Sequence, residues 1–167
     1  TWLGFSTVLV ELGDGRRFLI DPWLTFPGCP ASVKTIGRLD GLLITHGHWQ
    51  HVGEAVELHQ QTGATVLAVE EVAGALARRG VRGAPKANIG GTISIAGLPV
   101  SLTPAVHTSG ILDKENGFID YGGDPVGFVL HLPGDVRLYH AGDTDVFGDM
   151  ALIRERWHPQ VGLLPVG

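Results

Sequence analysis

The sequence predicts an α+β domain built from two sheets with helices outside them. Three observations carry this expectation. Apolar, β-branched runs come in groups, and Gly/Asp pairs join them as hairpins. Stretches of helical spacing fall between and after these groups. The strands lack a polar face, so both faces of each sheet need cover, which helices packed outside two sheets provide.

Taken in order, Thr1–Gly4 starts inside a strand. Thr7–Glu11 and Arg17–Asp21 are strands around Gly13-Asp14-Gly15, and Asp21-Pro22 ends the second. Residues 25–38 form a Pro- and Gly-containing loop, and Leu39–Thr45 is the next strand. Val52–Gln61 has helical spacing, with Gly63 just past its end. Thr65–Val69 is a short buried strand. Glu70–Arg79 is a helix, acidic at its start and basic at its end, as the helix dipole favours. Thr92–Ile95 and Pro99–Pro104 flank Gly97 as a hairpin. Residues 110–124 read as a polar loop. Val126–Leu132 and Val136–His140 pair around Pro133-Gly134-Asp135. Asp149–Trp157 is a helix with Asp149 as its cap, and Gln160–Pro165 is the last strand. A chain that opens and closes inside strands reads as cut at both ends, so residues 1–167 are expected to be a single, incomplete domain.

The 167 residues suffice for one real core. Charged residues are 17%, below the usual quarter or so. The net charge of -5 argues against broad binding to phosphate backbones, so no nucleic-acid partner is expected. Cys29 is the single cysteine, which excludes an internal disulfide and fits a reducing, cytoplasmic setting. No apolar run is long enough to span a membrane.

Three strand ends carry metal-ligand residue types. The first is Thr45-His46-Gly47-His48-Trp49-Gln50-His51. In extended chain His46 and His48 project to the same side, and His51 follows where a helix can begin. A lone histidine would read as a surface group, whereas three at this spacing after a buried strand read as a metal site. His107 follows the second run and Asp143 a third. Imidazoles plus a carboxylate suit zinc, and leave room for a water whose pKa the ion lowers to about 7.

The segments THGHWQH, PAVHTSG and HAGDTDVFGDM resemble the metallo-β-lactamase superfamily. Within it, together with TWLGFST, IDPWLT, NIGGT and LLPVG, they are similar to the UPF0173 group of metal-dependent hydrolases. The resemblance implies an αββα sandwich with up to two metal ions, most often zinc, otherwise manganese, iron or nickel. It implies that His46, His48 and His107 bind the first metal, that Asp143 bridges, and that His51 belongs to the second. It also implies hydrolysis of a small molecule, an ester, lactone or phosphodiester, by metal-activated water. Three departures stand against that pattern. Gln50 occupies the family's Asp position, and a neutral amide neither carries the charge nor accepts a proton. The family's last histidine lies beyond LLPVG. Phe5 stands where the opening motif commonly has histidine. The expectation is a first metal site in place, a second weak or empty, and reduced activity. The alternative is a non-catalytic member that binds a metal or ligand.

Around these, Asp21 is expected to orient a ligating histidine. Phe5, Trp49, Thr108 and Ser109 are candidates for pocket or substrate contacts, and Thr144 for holding the Asp143 loop. His59, His131, His140 and His158 read as structural, and Cys29 as a spectator. Apolar surface left at the last strand makes self-association an expectation.

Overall fold

The computed structural model describes residues 1–113 and 116–166. Twelve strands and four helices are found among them. The first sheet has the order β1 (Trp2–Gly4), β2 (Thr7–Glu11), β3 (Arg17–Ile20), β4 (Gly41–Leu43), β5 (Thr65–Leu67). Its first three strands run antiparallel, whereas β3, β4 and β5 are parallel. Parallel neighbours need a crossover. Between β4 and β5 it holds α1 (Trp49–Val52) and α2 (Ala55–Thr62). After β5 comes α3 (Glu70–Arg78), then β6 (Thr92–Ile95), β7 (Leu98–Pro104), β8 (Gly110–Asp113), β9 (Phe118–Tyr121), β10 (Val126–Leu132) and β11 (Val136–His140). The chain continues through α4 (Met150–Trp157) to β12 (Val161–Leu163). The second sheet has the order β12-β11-β10-β7-β6, and β8 pairs with β9 alone.

The main core joins both sheets: Phe18, Ile20, Leu42, Leu43, Val100, Leu102, Phe128 and Leu130 are fully buried in one cluster with Leu58 of α2 and Leu76 of α3. In β10 side chains alternate between faces. Phe128 and Leu130 enter this core, while Val129 joins Tyr139, Ala141 and Ile153 of α4 on the other face. The four layers are therefore αββα, as expected. No helix among the described residues is long and apolar enough to cross a membrane.

Three expectations need correction. The single helix over 52–61 is two, because Gly53 breaks it with φ 43° and ψ -129°. Only glycine tolerates that conformation, and there the chain packs against Pro22, whose carbonyl accepts from Glu54 N at 2.9 Å. Residues 110–124 are not simply loop: β8 and β9 form a ladder from Gly110↔Tyr121 to Asp113↔Phe118. The Gly and Asp residues that signalled a turn supply the ends of a hairpin. Asp149 occupies the N-cap position of α4 but makes no side-chain cap bond. Its φ -71° and ψ -5° are already helical, whereas a capping residue is extended. Several strands are also one or two residues shorter than their apolar runs. β3 stops at Ile20 because Asp21 has φ 47°.

Candidate metal centre

The C-terminal ends of β3, β4, β7 and β11 meet at one edge of the sandwich. Asp21 directly follows β3, and Thr45 and His46 follow β4. The 105–109 loop with His107 follows β7, and Asp143 lies three residues beyond β11. These loops are tied to one another. Val106 N donates to Thr144 Oγ1 at 2.8 Å, and Asp145 N donates to Val106 O at 3.0 Å. Val126 N donates to Thr45 O at 2.9 Å, linking the two sheets beside the site.

The imidazoles crowd together. The His46 ring lies 4.5 Å from His48, 4.0 Å from His51 and 5.2 Å from His107, centroid to centroid. Two overlapping donor groups result, His46–His48–His107 and His46–His51–Asp143, each with ligand atoms within 4.8 Å of one another. His46 Nε2 is 2.9 Å from His48 Nδ1. Asp143 Oδ2 is 3.2 Å from His51 Nε2 and 3.9 Å from His107 Nε2. Donors on a tetrahedral zinc lie about 3.4 Å apart, given bonds of about 2.0–2.1 Å. The separations straddle that value, and the donors are all of types such an ion takes. The residues therefore fit a metal.

A buried network aims these donors. Asp21 is fully buried. Its carboxylate accepts from Thr45 N at 2.8 Å, from Thr45 Oγ1 at 2.8 Å and from His51 Nδ1 at 2.8 Å. With its one hydrogen given to Asp21, Thr45 Oγ1 accepts from His46 Nδ1 at 2.9 Å. That fixes the His46 tautomer with Nε2 free to face the centre. On the far side Ser6 Oγ donates to Asp143 Oδ1 at 3.2 Å, so Oδ2 is the oxygen turned to the histidines. His140 is structural, as read: Gly142 N donates to its Nδ1 at 3.1 Å and its Nε2 donates to Ser6 O at 3.2 Å.

Electrostatics follow the burial. Burial and the neighbouring His51 hold His46 down to about 3, so it is neutral. Burial also pulls on His51, but the Asp21 and Asp143 carboxylates at its two nitrogens outweigh it and push it up to about 9. The His51 hydrogen bond holds Asp143 down to about 2. Burial and His107 lower His48.

The remaining candidates sort by position. Thr108 Oγ1 is 3.4 Å from His48 Nε2 at the open side of the site. Ser109 is buried and points inward: it accepts from Gly47 N at 3.1 Å and donates to Gly122 O at 2.9 Å. It therefore braces the histidine motif against the β8–β9 hairpin. Thr144 Oγ1 donates to Asp145 O at 2.7 Å, holding its loop. Gln50 is half-buried on α1 between Trp49 and His51. Phe5 packs edge-on against His51 at 5.4 Å. His59 accepts from Arg82 N at 3.1 Å, and His131 bonds Ser101 Oγ at 2.8 Å, both away from the centre. Sequence reasoning passed over two residues, Thr45 and Ser6. Thr45 directly precedes the first histidine, and Ser6 reaches Asp143 across 137 positions, which only the fold reveals.

A family model described as the beta-lactamase superfamily domain matches residues 16–167. A UPF0173 metal-dependent hydrolase from Koribacter versatilis is 42% identical over 168 residues, covering 100% of this chain and 71% of that protein. Its counterpart from Methanopyrus kandleri is 44% identical over 169 residues, with the same coverage. Among solved structures, the metallo hydrolase Igni18 from Ignicoccus hospitalis superposes with a TM-score of 0.84 at 36% identity, covering 100% of this chain and 70% of that one. The five-donor edge of this chain and these relatives agree: the chain belongs to the beta-lactamase superfamily and, within it, to the UPF0173 group.

Proposed function

We propose that the chain is a metal-dependent hydrolase of small molecules, with an ester, lactone or phosphodiester as the bond cleaved and zinc as the metal. The observation that supports this most is the convergence of five donors from three strand ends on one edge, with Asp21 behind them at a fourth. His46 Nε2, His48 Nδ1 and His107 Nε2 would hold the first ion, with Asp143 Oδ2 beside them. A metal held there supplies an activated water and a positive charge for the developing oxyanion.

The chain's own groups do the rest. Asp21 and Thr45 keep His46 in one tautomer. Ser6 holds Asp143 by its outer oxygen. Without an ion His51 carries a proton between two carboxylates, and an ion taken at its Nε2 would displace that proton. Gln50 neither takes up a proton nor carries a negative charge toward an ion, because an amide does not titrate near neutral pH. The second ion would have His51 and Asp143 alone, so it is weakly held and turnover is low.

Gln50, and Phe5 against His51, favour a second reading, a member of the fold that binds metal or ligand without turnover. A panel of lactones, esters and phosphodiesters with added zinc or manganese separates the two. Slow turnover by the chain, raised by Gln50→Asp, supports the hydrolase. No turnover from the chain, with activity from Gln50→Asp alone, favours the second reading.

A further inference from the structure

The turn between β1 and β2 touches both residues whose carboxylates grip His51. Asp21 and Asp143 meet the two His51 nitrogens at 2.8 Å and 3.2 Å. Ser6 Oγ donates to Asp143 Oδ1 at 3.2 Å, and the neighbouring Thr7 Oγ1 donates to the Asp21 main-chain carbonyl at 2.6 Å. The turn is strained, because Phe5 has φ 50°, a left-handed conformation that an aromatic residue rarely adopts. Such a conformation persists only where its surroundings hold it. Trp2 Nε1 donates to Phe5 O at 2.7 Å from one side. His140 stands on the other.

His140 ends β11 in the opposite sheet and is 5% exposed. Gly142 N, which can only donate, reaches its Nδ1 at 3.1 Å, so the ring proton sits on Nε2. Nε2 then donates to Ser6 O at 3.2 Å. One ring thus grips the backbone on two sides of Asp143: the residue before it in the chain, and the residue whose hydroxyl holds it. Gly142 itself is wedged. A Cβ there would stand 2.7 Å from Val126 O and 3.1 Å from Thr45 Cβ. The backbone leading to Asp143 has no room to move toward Thr45, and His140 closes the way toward Ser6.

We propose that His140 is a positioning residue for the metal centre, acting through Ser6 to fix which way the Asp143 carboxylate faces. With the His140–Ser6 bond made, Ser6 occupies Oδ1 and leaves Oδ2 for an ion. Without it the strained turn relaxes, Ser6 withdraws, and the carboxylate is free to rotate. The inference rests on the metal centre of the reading above and goes beyond it, since His140 is not one of the five donors.

The test titrates purified protein with Co(II), an ion that imidazole and carboxylate donors take as they take zinc. It reads affinity and the visible absorption of the bound ion. His140→Phe keeps a ring and drops both hydrogen bonds. His140→Gln keeps an N–H at the reach of Nε2, and His140→Asn keeps an acceptor at the place of Nδ1. His140→Phe and Ser6→Ala should each weaken affinity about tenfold and change the absorption in the same way. Combined, they should weaken it little beyond either alone, because both act along one path. His140→Gln should recover most of the affinity and His140→Asn little of it. His59 is the control, since one of its nitrogens donates to Ala64 O and the other accepts from Arg82 N, away from the centre. His59→Phe should lower the melting temperature and leave cobalt affinity unchanged. Additive losses, or a folded His140→Phe with full affinity, overturn the proposal and leave the centre standing. Should His140→Phe not fold, the other two variants decide: His140→Asn binding cobalt as well as His140→Gln, or better, overturns it. Failure of the unaltered protein to bind cobalt overturns the centre, and the proposal with it.

Discussion

Asp21 supports two histidines with one carboxylate. It takes His51 directly and His46 through Thr45, from a position with no exposure to water. Asp21→Asn should therefore act twice. Removing the charge leaves a buried, protonated His51 short of one partner, a loss of about 3 kcal/mol by chemical denaturation. Metal affinity, read by titration, should weaken about 10- to 100-fold, because the ligands lose their orientation.

The same residues set the pH response of the metal-free protein. His51, raised to about 9 from 6.5, stabilises the fold fully below 6.5, and that contribution is lost as pH rises through 9. His46, lowered to about 3 from 6.5, works oppositely: the unfolded chain takes a proton that the native one refuses, so stability falls as pH drops below 6.5. Asp143, lowered to about 2 from 3.8, contributes above 3.8 and loses its contribution as pH falls through 2. Thermal melts of chelator-treated protein should peak near pH 6–7 and decline on both sides. A Tm that still climbs from pH 7 to 9 would contradict the placement of His51 between two carboxylates.

At the scale of elements, the break between α1 and α2 decides where His51 points. Gly53 holds the break, and a Cβ there would run into the Pro22 carbonyl. Gly53→Ala should cost about 1–3 kcal/mol in urea unfolding and loosen metal retention, since His51 lies two residues before it. That break was not legible from spacing, because 52–61 keeps its apolar period on both sides of the glycine. The close approach of Pro22 that demands it is a tertiary fact. β8 and β9 were hidden for a related reason. Their side chains are largely exposed, as in Leu112, Ile119 and Tyr121, so no buried alternation marks them. Strands such as β2, β3, β4 and β10 were legible because their runs are apolar and buried on both faces. The five donors were legible because each follows such a strand.

At the scale of the molecule, the sandwich works as a clamp on one edge. The first sheet brings Asp21, His46, His48 and His51, the second brings His107 and Asp143, and the Val126–Thr45 bond fastens the two beside the site. The helices cover the outer faces and leave that edge open, with Trp49 and Phe5 exposed beside it. The donor set is thus a property of two sheets meeting, and Gln50, a neutral amide, sits at that edge between Trp49 and His51. Metal counting on purified, zinc-equilibrated protein tests this most directly, comparing the chain with Gln50→Asp. The account predicts one tightly held ion per chain, lost with His46→Ala, and a second ion gained in Gln50→Asp. Two tightly held ions in the unaltered chain, or none at all, would contradict it.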